Sequence, residues 1–279
     1  MRWARPLPGK QKPDLAIASR SYRELIDHAA PLGIELLIEN IGWIQDQPDA
    51  IPQIIAAVGL ELKTFKHMTA EGTADLDALR AALAEAAPGD VVLLHGCCHN
   101  PTGVDYTPAQ WDEIAPMVAA SGVLPLIDLA YQGLGDGMEA DAYGLRKVLA
   151  AVPEALVAYS CDKNFGLYRD RVGAFYAVTG NADALALAMA NGATIARASW
   201  SMPPDHGAAA VRLILGDAAL TAQWSQELFA MRARMALWCA GVQVDLVEIS
   251  LRDKPAAMLT VSPKGTVPVL HDAEGLVLD

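Results

Sequence analysis

The sequence predicts a three-layer α/β fold, in which helices cover both faces of a mostly parallel sheet, with a small βαβ-like appendix at the C-terminal end. Two observations lead to this fold class. Short apolar runs, which are typical of buried strands, alternate with helical patterns through the middle of the chain. Strands that are separated by helices need right-handed crossovers, and these cover a sheet on both faces. The 279 residues, 53% hydrophobic and 19% charged, are enough to bury such a core.

The N-terminal part predicts a strand between two helices. A helical pattern occupies 21–33, a compact apolar run occupies 34–38, and a second helix at 50–59 is expected to end at Gly59. This order matches the alternation in the rest of the chain. We therefore expect residues 1–59 to pack on the central sheet as the first of three segments.

The middle segment, 60–228, predicts the core of the sheet. Helices are expected at 76–86 and 108–120, and strands at 61–67, 91–95, 123–129, 156–161 and 173–178. In sheets of this type, ligands bind at the carboxyl ends of the strands. The polar residues that follow each run are therefore the first candidates for a site.

The third segment, 229–279, predicts the appendix. A long helix at 223–241 leads into it, and an alternating strand at 242–250 and a polar stretch at 251–259 follow. Two short apolar runs, at 266–270 and 275–279, close the chain and predict two further strands.

Charge and composition exclude several partners. With 21 basic and 33 acidic residues, the net charge of −12 would repel nucleic acid and anionic membranes. The sequence has neither the apolar run of about 18 residues that spans a membrane nor the apolar core of a signal peptide. The four cysteines form no metal-binding spacing, and the pair at 97–98 suits a disulfide poorly. We therefore expect a reduced, cytoplasmic protein without metal.

Three polar motifs follow neighbouring predicted strands. The first is HNPTG with Asn100, the second is D-x-A-Y-Q-G with Asp128 and Tyr131, and the third runs from Ser160 through Lys163 to Arg171. Because the ends of parallel strands meet at one edge of a sheet, these side chains are expected to lie together. An amine, a carboxylate, a phenol, an amide and a guanidinium suit a cofactor that carries an aldehyde, a ring nitrogen and a phosphate.

These motifs, in this order, resemble the pyridoxal-phosphate site of the class I (fold type I) aspartate and aromatic amino acid aminotransferases, from about residue 60 to 228. The resemblance implies that Lys163 attaches the cofactor and moves a proton during the reaction. It also implies that Asp128 pairs with the ring nitrogen and that Tyr131 and Asn100 hold the 3′-oxygen. Ser160 and Arg171 match phosphate ligands.

The resemblance implies transamination between an aspartate- or aromatic-type amino acid and a 2-oxo acid. Asn100 and Arg197 match substrate-binding residues, and Arg197 matches one that is lent by a neighbouring subunit, which implies a homodimer. The phosphate-binding turn and the small-domain arginine of the family have no match here. We therefore expect cofactor binding, with turnover impaired by those missing groups.

The two ends resemble other families. Residues 21–59 are similar to a sugar-phosphate isomerase/epimerase barrel, in which Glu39 would be a metal ligand; one ligand makes no metal site. If this strand, loop and helix instead replace the missing strand beside Leu60, Trp43 would lie near the cofactor ring. The tail resembles the thioredoxin-like domain of glutathione transferases, with a cis-proline turn at Val267 and Pro268. The alternatives are thus a catalytically silent chimeric α/β scaffold or a glutathione-binding module. The remaining cysteines and histidines of the motifs are expected in the core or in supporting positions, namely Cys97, Cys98, Cys161, His95 and His99.

Overall fold

A computed structural model of the chain describes residues 20, 23–24, 27, 50–57, 59, 61–202, 204–243, 247, 249, 254–262, 269–271 and 277–278. They divide into two compact units. Unit one comprises Asn181–Pro203 and the described residues before Lys66, and unit two comprises Lys66–Gly180 and the described residues from Pro204 onward. Among the described residues, no helix is long and apolar enough to cross a bilayer.

Unit two is built on a four-stranded sheet in the order β1, β2, β3, β4. The strands are β1 (Val91–His95), β2 (Leu124–Leu129), β3 (Glu154–Ser160) and β4 (Gly173–Thr179). β1, β2 and β3 are parallel, whereas β4 runs antiparallel to β3. The α/β fold with a mostly parallel sheet is therefore confirmed. β4 is reversed because residues 161–172 form a loop without a crossover helix, and only a crossover returns the chain for parallel pairing.

The helices predicted at 50–59, 76–86 and 108–120 form close to those bounds, and the structure adds two short helices before β3 that were not predicted. α1 (Ala50–Ala57) belongs to unit one, and four helices belong to unit two: α2 (Leu76–Glu85), α3 (Pro108–Ser121), α4 (Met138–Asp141) and α5 (Tyr143–Ala151). α3 begins with a capping box between Thr107 and Gln110 and ends at Gly122, whose φ of 71° lies in the left-handed region.

The remaining elements follow β4. α6 (Ala182–Trp200) belongs to unit one. Unit two continues with α7 (His206–Gly216), α8 (Ala218–Cys239), α9 (Ala256–Val261) and an antiparallel pair, β5 (Leu270–His271) and β6 (Val277–Leu278). α8 includes most of the long helix that the sequence predicts and begins five residues earlier.

The core of unit two lies between the sheet and its helices. Ile127 on β2, Ile114 and Val118 on α3 and Val148 on α5 are fully buried. α3 and α5 approach closely at Gly144, where an added Cβ would overlap Cε2 of Trp111. This packing holds the strands, and therefore the loops at their carboxyl ends, in fixed positions.

Two predicted strands do not form where the structure describes them. Residues 61–67 are not a strand, and Met68 makes only an isolated bridge to Ala74. The side chains of 61–64 are exposed, so the run has no layer on which to pack. In the predicted strand 242–250, the described residues are not in a strand, and Val247 is 78% exposed. Part of the predicted polar stretch forms α9 instead. The three-segment division stays a prediction.

Candidate functional site

The candidate site lies in unit two, at the carboxyl ends of β1, β2 and β3. His95 is the last residue of β1 and pairs in register with Asp128 on β2. Lys163 follows β3 by three residues. Since the three strands are parallel, the residues that follow them share one edge of the sheet. The prediction that the motifs meet there agrees with this geometry.

The amine of Lys163 lies over the ring of Tyr131, with Nζ 5.1 Å from the ring centroid. The amine makes no hydrogen bond or ion pair with a residue that the structure describes, and the side chain is half-buried. Burial raises the pKa of the Tyr131 hydroxyl, Asp128 adds to the effect, and a hydrogen bond from the Asn100 side chain opposes it. The phenol is therefore protonated at neutral pH, and four of the predicted residues form one cluster.

His95 supports this cluster. Its Nδ1 accepts a hydrogen bond from the backbone N–H of Asn100 at 3.2 Å, which places the ring proton on Nε2. Burial lowers the pKa of His95 more than the negative charge of Asp128 raises it. The imidazole is therefore neutral at neutral pH. It fixes the loop that carries Asn100 and lies beside the Asp128 carboxylate, which has no hydrogen-bond partner among the described residues.

The loop after β1 is held by a second histidine and a carboxylate. The ring of His99 stacks on His67, with 3.5 Å between centroids and 5° between planes. Burial, together with His67 and His95, lowers the pKa of His99 to about 4. The Asp105 carboxylate accepts backbone N–H bonds from Cys98 and His99, both at 2.7 Å. The backbone of the loop directly after β1 is therefore restrained at Cys98 and His99.

The loop after β2, which carries Tyr131, is organised by Asp141. This carboxylate is buried at the end of α4 and accepts three backbone N–H bonds, from Gly133 at 2.7 Å, Gly135 at 3.0 Å and Asp136 at 2.7 Å. Gly133 has φ 95°, a backbone conformation that favours glycine. Asp141 therefore fixes the turn directly after Tyr131.

The segment of Lys163 is anchored through its neighbour Asn164. The Asn164 side-chain amide donates to the Gln132 carbonyl at 3.1 Å and to the Tyr159 hydroxyl at 3.0 Å. Its backbone carbonyl accepts a hydrogen bond from Nε1 of Trp224 at 2.8 Å, and the Trp224 ring stacks on Phe165. These contacts join the loops after β2 and β3 to α8. Oδ1 of the Asn164 side chain is buried without a hydrogen-bond partner among the described residues.

The predicted phosphate ligands, Ser160 and Arg171, are joined through Asp162. Oγ of Ser160 accepts the N–H of Asp162 at 3.2 Å, and the buried Asp162 carboxylate accepts a hydrogen bond from the Arg171 guanidinium. The Arg171 side chain is 64% exposed. The structure thus puts both predicted ligands around one loop, with a carboxylate between them that the sequence does not predict.

Some predicted residues are not placed at the site. Arg197 lies on α6 in unit one, where its Nη1 donates to the Ser201 carbonyl at 3.4 Å, and its role at the site stays a prediction. Glu39, Trp43, Val267 and Pro268 lie outside the described residues. Among the residues that are described, no three His, Cys, Asp or Glu side chains form a group that could hold a metal ion.

The cysteines and histidines of the motifs were expected in the core or in supporting positions, and the structure shows how far each is buried. Cys97 and Cys161 are buried, whereas Cys98, His95 and His99 are half-buried. A hydrogen bond from Cys98 and burial raise the pKa of Cys97, so its thiol is a poor nucleophile.

Sequence reasoning missed the carboxylates that organise the loops: Asp105, Asp141 and Asp162. Asp162 carries a usable signal, since it directly precedes Lys163 in the motif. The other two are polar loop or helix-end residues whose partners are backbone N–H groups, and no spacing in the sequence identifies such partners.

Comparisons with known proteins identify the family. The family model "Aminotransferase class I and II" matches residues 49–265, a wider stretch than the motifs alone predict. A tyrosine aminotransferase of Rhizobium meliloti is 47% identical over 228 residues, which are 81% of this chain and 57% of that protein. An aspartate aminotransferase of Haemophilus influenzae is 49% identical over 183 residues, 65% of this chain and 46% of that protein.

The fold agrees with solved structures. An aromatic-amino-acid aminotransferase from Burkholderia pseudomallei, covalently bound to pyridoxal phosphate, superposes with a TM-score of 0.63 at 33% identity, over 81% of this chain and 59% of that one. The chain spans about half the length of the curated relatives that it matches. The family match and the shared fold show that the chain belongs to the class I and II aminotransferases.

Proposed function

We propose that the chain binds pyridoxal 5′-phosphate through Lys163 and serves transamination between an amino acid and a 2-oxo acid. The observation that carries the proposal is the cluster at the strand ends, where the Lys163 amine lies 5.1 Å from the ring centroid of Tyr131. Relatives named tyrosine and aspartate aminotransferases, and a related structure covalently bound to pyridoxal phosphate, support it.

The donor set fits the cofactor. Lys163 offers an amine, and Asp128 a carboxylate, that no described residue engages by a hydrogen bond or ion pair. Tyr131 offers a protonated hydroxyl. Arg171 offers an exposed guanidinium, and Ser160 lies at the other end of the same loop. These are the groups that an aldehyde, a ring nitrogen, a phenolic oxygen and a phosphate each require.

Each residue has a defined task in this proposal. When bound, the cofactor supplies a covalent attachment point and an electron sink for the amino acid's Cα. Lys163 attaches it and, once displaced by substrate, carries a proton at Nζ. Asp128 holds the ring nitrogen in its protonated form, and Tyr131 with Asn100 donates hydrogen bonds to the 3′-oxygen. His95, which is neutral, keeps Asn100 in place and lies beside Asp128 without adding charge.

The proposed substrates are amino acids with aspartate- or aromatic-type side chains. The names of the relatives support both classes. Arg197 of one subunit is proposed to bind the side-chain carboxylate of a dicarboxylic substrate in the site of the neighbouring subunit, which requires a homodimer. A cytoplasmic location is also proposed. The family match favours transamination over a silent scaffold or a glutathione-binding module.

The test is a titration of the full chain with pyridoxal phosphate, followed by addition of aspartate, glutamate or phenylalanine. We expect a new absorbance band from bound cofactor that Lys163→Ala abolishes. The matched control is Lys147→Ala, because Lys147 pairs with Asp112 at 2.7 Å on the helices α3 and α5. It should leave the band unchanged.

The amino acids then report on competence. Loss of the band on addition of aspartate or phenylalanine indicates that the half-reaction proceeds. A band of equal strength in wild-type chain and in Lys163→Ala contradicts the proposal, because the cofactor would then be bound at another amine.

A further inference from the structure

Arg171 is held by a carboxylate to which the proposed function assigns no task. Asp162 directly precedes Lys163, and its side chain is 1% exposed. Its Oδ2 accepts a hydrogen bond from Nη1 of Arg171, and its Oδ1 accepts one from the N–H of Val172 at 2.8 Å. Both carboxylate oxygens are thus engaged at the base of the loop between β3 and β4.

The Arg171 guanidinium keeps one edge open. Its hydrogen bonds to described residues both come from Nη1, one to Asp162 and one to the Tyr168 carbonyl at 3.3 Å. Nε and Nη2 make no hydrogen bond with a residue that the structure describes. This outer edge carries the two parallel N–H groups with which an arginine binds a phosphate in fork geometry.

The Arg171 side chain needs a partner to hold this geometry. It is 64% exposed, and an exposed arginine keeps most of its rotamer freedom unless a contact restrains it. Binding that immobilises such a side chain loses affinity. The Asp162 carboxylate restrains Nη1 before any ligand arrives, so a phosphate on the outer edge meets a guanidinium that is already oriented.

We propose that Asp162 is a positioning residue for phosphate recognition, which holds Arg171 so that its Nε–Nη2 edge faces the phosphate of the ligand. The inference rests on the proposed function, which attaches the ligand at Lys163. Asp162 lies on the Nη1 side of the guanidinium, away from the edge that receives the phosphate. Its charge is compensated there by Arg171 and the Val172 N–H, and we expect the gain in orientation to exceed its repulsion of the phosphate.

The test compares two probes on the full chain: pyridoxal 5′-phosphate, and pyridoxal, which lacks the phosphate. The ratio of their dissociation constants, measured by absorbance titration, reports the phosphate contacts separately from the attachment at Lys163. Asp162→Asn keeps an oxygen for the Val172 N–H and loses the acceptor for Arg171. We expect it to lower the preference for the phosphorylated probe roughly three- to tenfold, the cost of immobilising one arginine.

A matched control removes a carboxylate from the same loop. Asp170 bonds His206 at 2.6 Å and does not bond Arg171. Asp170→Asn should therefore keep the wild-type preference. A double-mutant cycle then measures whether the effect of Asp162→Asn on the phosphate preference depends on Arg171, which a merely structural role of Asp162 would not require. In an Arg171→Lys background, which lacks the planar fork, Asp162→Asn should change the preference no further.

The outcomes separate the two proposals. If the wild-type chain binds neither probe through Lys163, that result overturns both the proposed function and this inference. A wild-type chain that prefers the phosphorylated probe, with Asp162→Asn showing the same preference, overturns only the inference. An equal loss from Asp162→Asn in the wild-type and the Arg171→Lys backgrounds also overturns it. If Asp162→Asn does not fold, Asp162→Ser, which is smaller and also lacks the carboxylate, undergoes the same titrations.

Discussion

Replacing Asp141 should loosen the loop that carries Tyr131. The carboxylate accepts three backbone N–H bonds, and the bond from Gly133 is buried at both ends. In Asp141→Asn, an amide oxygen at the Oδ2 position keeps the bonds from Gly133 and Gly135. The amide nitrogen then faces the N–H of Asp136, so one charge-assisted bond is lost and two donors oppose each other.

The magnitude follows from these bonds. A hydrogen bond to a charged group contributes about 1.5–3 kcal/mol, so Asp141→Asn should lower the free energy of unfolding by about 2 kcal/mol. Asp141→Ala removes all three acceptors and should cost about 4 kcal/mol, since Gly135 and Asp136 regain partial hydration while Gly133 is left buried.

The assay is urea denaturation followed by circular dichroism, together with amide hydrogen exchange at Gly133, Gly135 and Asp136. Exchange at Asp136 should accelerate in Asp141→Asn, and exchange at all three amides in Asp141→Ala. The matched control is Glu139→Gln on the same helix, whose carboxylate pairs with Arg146 at the exposed surface. It should not change stability measurably. An Asp141→Asn chain with wild-type stability and wild-type exchange would refute the reasoning.

Three further predictions concern packing, pH and the anchor of Lys163. Gly144→Ala places a methyl group against the buried Trp111 ring and should destabilise unit two by about 1–3 kcal/mol, whereas Gly216→Ala, with open space around it, should not; denaturation of both variants checks this. The pKa of His99 is lowered to about 4, so the unfolded chain binds a proton near its usual pKa of 6.5 before the folded chain does. Stability should therefore fall as pH drops from 6.5 toward 4, and less so in His99→Gln; unfolding free energies across that range measure it. Trp224→Phe keeps the stack on Phe165 and loses the bond to the Asn164 carbonyl, and should lower the free energy of unfolding by about 1 kcal/mol; equal midpoints in urea would contradict it.

The sequence predicted the sheet and the cluster because both depend on local patterns. β1 begins and ends at the predicted residues, since a short apolar run between a turn and a polar loop has few alternatives. Asp128 lies near the end of β2, and Tyr131 and Lys163 follow β2 and β3, which turned out to be parallel neighbours. Predicting the strands therefore also predicted that their polar ends would meet.

The parts that were wrong or missed depend on partners distant in the sequence. The run 61–67 has strand-like apolar residues, yet it pairs with no strand among the described residues and most of its side chains are exposed. The reversal of β4 depends on the length of the loop before it. The pair of Asp162 and Arg171 forms because that loop turns back on itself, with the N–H of Cys161 bonded to the Val172 carbonyl at 2.8 Å.

The proposed function depends on attachment of pyridoxal phosphate at Lys163, and reductive trapping of the attached cofactor tests this most directly. The full chain is incubated with pyridoxal phosphate, reduced with borohydride and digested, and the modified peptide is identified by mass spectrometry. We expect one stoichiometric pyridoxyl label, on Lys163, and no label on Lys147 even when pyridoxal phosphate is in excess. A label spread over surface lysines, or a Lys163 that stays unmodified, would contradict it.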